Sequence, residues 1–97
     1  MLAIRHASII IGDTVIEDGT VLVADGRIQA VGDFTLPLPP GAATQDAAGL
    51  LLSPGFLDLQ VNGGFGLDFT ADPATIWDVA AQLPRYGVTA FLPTVIT

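Results

Sequence analysis

Residues 54 to 70 read PGFLDLQVNGGFGLDFT, and this stretch decides the fold. Phe56-Leu57-Asp58-Leu59 is an apolar strand that runs into two amides spaced i, i+2, Gln60 and Asn62. A glycine-rich turn follows at Gly63, Gly64 and Gly66. Side chains two apart on a strand share a face, so both amides point the same way. A strand that ends in polar side chains and a flexible loop is how a barrel of alternating strands and helices builds the rim of its site.

Downstream, the pattern is strand, helix, strand. Gly55 to Val61 is expected as a buried strand. Asp72-Pro73 starts a helix, because Asp caps free amides and Pro presets φ in the first turn. Ile76, Val79, Ala80 and Leu83 recur at helical spacing. Pro84 should distort the last turn, and Gly87 supplies the stop. Val88 to Val95 (VTAFLPTV) is then a strand apolar on both faces, as a parallel strand should be. This makes one β-α-β unit, the first step of a barrel or of a doubly wound sheet.

Upstream, short strands alternate with tight turns. Ile4 to Ile11 is β-branched, and turns are expected at Gly12-Asp13, Asp18-Gly19 and Asp25-Gly26. The last, inside VLVADGRIQAVG (21–32), is a strong hairpin signal because both central positions tolerate positive φ. Leu36-Pro37-Leu38-Pro39-Pro40-Gly41 carries three prolines without donors and reads as an extended loop. Ala48 to Ser53 reads as a last β segment before Pro54-Gly55, where the architecture changes.

The 97 residues are 51% hydrophobic and 13% charged, against about 25% charged in ordinary globular chains. That is the composition of an interior. No apolar stretch approaches the ~20 residues of a membrane span, no secretory leader is visible, and the cytoplasm is the expected compartment. Net charge is −7, and Arg5, Arg27 and Arg85 are scattered, so nothing can neutralise a run of phosphates and nucleic acid is excluded. With no cysteine and no lysine, disulfides, thiolate metal sites and the phosphate-binding G-x-x-x-x-G-K-[ST] loop are excluded as well.

Gln60 and Asn62 can order water or line a site, or they can simply satisfy backbone groups at the strand end. Amide oxygens are poor zinc ligands, so no metal is expected on them. Gly63 and Gly64 fit a tight loop as well as direct contact with a substrate. Asp58 lies on the side of Gln60 and can cap the loop. Asp68 is expected to pin the glycine loop through backbone amides. His6, the sole histidine, reads as a surface or core residue, and Trp77 and Phe65 as core or loop packing. No residue is assigned a catalytic role, and none a metal-binding one.

PGFLDLQVNGGFGLDFT, DGRIQAVG and GVTAFLPTVIT together resemble the N-acetylglucosamine-6-phosphate deacetylases of the metal-dependent amidohydrolase superfamily, amino-terminal portion only. Many other amidohydrolases, the dihydroorotase-like and hydantoinase-like ones among them, carry His-x-His where Gln60-x-Asn62 stands. The resemblance implies an α/β fold with a β-rich amino-terminal part. Residues 1–53 would belong to a small, incomplete β-sandwich. Residues 54–97 would supply strand 1, helix 1 and strand 2 of a (β/α)8 TIM barrel.

It also implies hydrolysis of N-acetylglucosamine 6-phosphate to glucosamine 6-phosphate and acetate by water activated on a divalent metal, zinc first. Gln60, Asn62, Gly63 and Gly64 would form the site wall. The metal's ligands, a Glu and two His, would come from middle barrel strands. Glu17, the one glutamate here, cannot replace them. A closed barrel takes about 250 residues, so the 97 residues are expected to be inactive alone and to bind no metal. They are also expected to pair with another copy through open sheet edges. The alternatives are a non-catalytic β-rich association module and a piece of another amidohydrolase.

Overall fold

The computed structural model describes residues 1–97, which form two compact units, Met1–Pro54 and Gly55–Thr97. Both are rich in β-structure.

In the first unit, β1 (Leu2–Ile11), β2 (Thr14–Ala24), β3 (Arg27–Gly32), β4 (Ala43–Asp46) and β5 (Leu51–Leu52) make one five-stranded sheet. Its order is β3-β2-β1-β4, with β5 also pairing β1. The two hairpins are antiparallel, and β4 and β5 lie parallel to β1. Asp25 and Gly26 turn the second hairpin at φ 52° and 70°, the positive pair that a type I′ turn requires. Leu36 to Gly41 forms no strand.

Asp18-Gly19 is not a turn. β2 runs straight through it, paired to β1 from Thr14 to Val23 with register shifts beside Ala7. The local irregularity is a bulge. His6 and Asp18 take positive φ (67° and 49°), and their side chains meet at 2.7 Å. Gly19 is there for space, since a Cβ would run into the Ile9 side chain.

The β segment expected at Ala48 to Ser53 is likewise shorter. Asp46 Oδ1 accepts from Ala48 N at 2.9 Å and Gly49 sits at φ 79°. The chain therefore turns after β4 and resumes pairing at Leu51. Ala7, Ile9, Val21 and Ala47 form the core, with Ile4, Ile16, Val23 and Leu52 packed on it. An apolar depression of about 240 Å³ stays open on this face, lined by residues including Ile4, Ile11, Val21, Ile28 and Leu52.

In the second unit β6 (Phe56–Val61) pairs in parallel with β9 (Val88–Pro93). A small hairpin, β7 (Gly63–Gly64) with β8 (Leu67–Asp68), follows β6. The helical run between β8 and β9 is α1 (Ile76–Gln82) flanked by 3-10 turns, Pro73–Thr75 and Leu83–Tyr86. Asp72 caps its start by accepting from Ala74 N at 3.1 Å. Pro84 lies in the closing 3-10 turn, and Gly87 at φ 82° donates back to Leu83 and Pro84. Phe69 and Val79, both fully buried, make the core with Val61; Leu67, Ile76, Leu83 and Phe91 close around it.

The first five residues of β6 are not buried. Leu57 and Leu59 are 69% and 72% exposed, and Phe56 is exposed beside them. Parallel strands ordinarily have both faces covered, and these 97 residues supply cover only at Val61. Trp77 is 79% exposed and belongs to no core. β9 ends at Pro93, two residues short of the expected Val95. No helix is long and apolar enough to cross a membrane.

Candidate functional site

Because β6 and β9 run in parallel, their carboxyl ends meet, and the amide pair lies at that end. The ladder continues one step past β9, where Thr94 N donates to Val61 O at 2.9 Å. This brings the Thr94 hydroxyl against the next residue of the first strand, and it donates to Asn62 Oδ1. The Asn62 backbone carbonyl accepts from Phe69 N at 3.0 Å. Asn62 thereby joins the strand end, the return of the glycine hairpin and the segment after β9.

The glycines have separate reasons. Gly63 stands opposite Asp68 and Gly64 opposite Leu67. A Cβ on Gly63 would strike Leu67 O, so only glycine lets the strands approach this closely. The two-residue turn places Phe65 at φ 55° and Gly66 at φ 82°. Phe65, a bulky residue in the left-handed region, is strained there, and its ring lies 5.7 Å from that of Tyr86.

The carboxylates are used locally. Asp58 Oδ1 accepts from Gln60 N at 3.1 Å. Asp68 does not reach the glycine amides with its side chain: Oδ1 accepts from Thr70 N at 2.8 Å, and its carbonyl accepts from Asp72 N at 2.9 Å. Asp68 thus fixes the exit from the hairpin toward the helix. Thr70 in turn accepts from Ile96 N through its hydroxyl at 2.9 Å. Thr94 and Thr70 are the members of this rim that the sequence reading missed. The signal for Thr94 was a hydroxyl in GVTAFLPTVIT that falls level with Asn62 once the two strands are paired in parallel.

Gln60, Asn62, Gly63 and Gly64 are therefore contiguous at one strand end, with Gln60 and Asn62 exposed. Primary amides donate and accept hydrogen bonds but do not ionise near neutral pH. The arrangement can hold a polar molecule or water and cannot act as acid or base. No group of three or more His, Cys, Asp or Glu is placed to hold a metal. The one histidine, His6, is bonded to Asp18 in the first unit.

No family model matches the chain. A deacetylase of Caenorhabditis elegans, N-acetylglucosamine-6-phosphate deacetylase by name, is 54% identical over 59 residues, 54% of this chain and 14% of its own. The Bacillus subtilis enzyme of the same name is 34% identical over 97 residues, 99% of this chain and 24% of its own. The crystal structure of N-acetylglucosamine-6-phosphate deacetylase from Pasteurella multocida matches with TM-score 0.88 at 30% identity, covering 99% of this chain and 26% of that one. The chain thus spans between 14% and 26% of the length of these relatives.

Proposed function

We propose that this chain is the amino-terminal portion of an N-acetylglucosamine-6-phosphate deacetylase and that it supplies one wall of the site. The observation that carries this reading is end-to-end similarity to the B. subtilis relative combined with an amide pair and glycine hairpin at the carboxyl end of a parallel strand. On this reading the β-α-β arrangement of Gly55–Thr97 opens a (β/α)8 barrel, whose sites lie at that end of the strands. The sheet of Met1–Pro54 is one part of a β-sandwich.

Gln60, Asn62, Gly63 and Gly64 are the wall against which an amino-sugar phosphate is held. The hydrolysis of its acetamide belongs to the longer protein. A divalent metal, zinc first, is implied by the family, and the residues present do not fit one: two amides at the rim and a single histidine in the other unit are no ligand set. That metal's ligands, and the groups that bind phosphate, lie outside these 97 residues. Taken alone, the chain exposes Leu57, Leu59 and Leu92 along its parallel sheet, and a second copy covers them. Light scattering tests that part, a stable monodisperse monomer being the contrary result.

The function is tested by grafting. Residues 1–97 replace the matched segment of the B. subtilis relative, and acetate release from N-acetylglucosamine 6-phosphate is measured. Turnover is expected; a folded, metal-loaded chimaera that releases no acetate contradicts the reading.

A further inference from the structure

Asn62 is exposed, yet its amide is not free to turn. The Thr94 hydroxyl donates to Oδ1, and Thr94 is half-buried and held from both sides. Its own N–H is bonded to Val61 O at 2.9 Å, and two residues later Ile96 N is tied to the Thr70 hydroxyl at 2.9 Å. A β-branched side chain on so constrained a backbone has little rotameric choice. Oγ1 is thus held against Asn62 Oδ1, and between a hydroxyl and a carbonyl oxygen the hydroxyl is the donor.

We infer that Thr94 is a positioning residue that commits the Asn62 amide to a single polarity. The carbonyl end is occupied by a hydroxyl proton, and the N–H₂ end is what a bound molecule meets. Asn62 then recognises an oxygen acceptor, such as a sugar hydroxyl, an amide carbonyl or a phosphate oxygen. It turns a cation away, because a cation on Oδ1 would sit beside the Thr94 hydroxyl hydrogen. This rests on the reading of the rim as a ligand wall, and it adds which chemical class of ligand atom the wall selects.

The test begins with the side-chain ¹⁵N–¹H₂ pair of Asn62 in the 97-residue chain. Thr94→Val is expected to move that pair to its free-asparagine position, and Thr94→Ser to restore it. A pair unmoved by Thr94→Val, or not restored by Thr94→Ser, overturns the proposal. Because Thr94→Val can loosen the unit as a whole, the unaltered chain is also titrated with zinc chloride. No movement of the Asn62 pair is expected, and a zinc-dependent shift overturns it.

In the chimaera, Thr94→Val is expected to raise KM about five-fold, the worth of one neutral hydrogen bond, with kcat held and Thr94→Ser returning KM to the parent value. An unchanged KM with Thr94→Val contradicts the positioning role. A chimaera with no activity at all contradicts the family reading and leaves the spectroscopic result standing on its own.

Discussion

The two units solve the same problem to different degrees. The sheet of Met1–Pro54 is joined largely through local antiparallel hairpins, and an antiparallel sheet needs only one covered face. It buries Ala3, Ala7, Ile9, Val21 and Leu22 within its own span, while an apolar depression lined in part by Ile4, Ile28 and Leu52 stays open. Gly55–Thr97 is built on a parallel pair, which needs cover on both faces. It has three buried core residues and leaves most of β6 bare. The half that carries the candidate site is thus the half with less cover of its own. A site at the end of a parallel strand inherits its order from the strands that flank it.

The largest effect that separates the units should come from Phe69→Ala. Phe69 is fully buried at the centre of the smaller core, and emptying such a site costs about 3–5 kcal/mol. Hydrogen exchange should then show protection lost throughout 55–97 and kept in β1 and β2. Equal loss in both units would break the comparison.

Gly19→Ala tests the bulge next. The new Cβ meets Ile9, an overpacking worth about 1–3 kcal/mol, and urea unfolding should show the first unit destabilised by that amount. No change would mean that β1 and β2 part easily there. Asp72→Ala removes the helix cap and should cost about 1 kcal/mol, read in the same way for the second unit.

The smallest effect is a titration. Asp33 is held below the ordinary carboxylate value by the hydroxyl of Thr35 and then by its backbone N–H, at 2.5 Å and 2.8 Å. A folded-state value below the unfolded one stabilises fully above the unfolded pKa. That contribution is lost as pH falls through the lowered folded value. Thr35→Ala should bring Asp33 back up toward the ordinary range in a carbon-detected NMR titration, leaving the second unit unaffected.

Local chemistry was legible in the sequence. Asp25-Gly26, Asp72, Pro84 and Gly87 each act through their own dihedrals or one nearby bond, and each is found doing so. What escaped depends on partners distant in sequence. Asp18-Gly19 looks like a turn until β1 is laid beside it and Ile9 is seen to need the space. Trp77 looks like core until the helix is seen to present it to solvent. At the rim, Gln60 and Asn62 were visible as a spaced pair, whereas Thr94 is 32 residues from Asn62 and becomes its partner only through the parallel register. Asp68 does bond a backbone amide, and the one it takes is that of Thr70, two residues on, at the exit of the glycine hairpin.

The most direct measurement is acetate release from N-acetylglucosamine 6-phosphate, with and without zinc, by the 97-residue chain and the chimaera side by side. The account predicts turnover by the chimaera and none by the chain above the metal-only control. Zinc-dependent turnover by the chain alone, or none by a folded and metal-loaded chimaera, would contradict it.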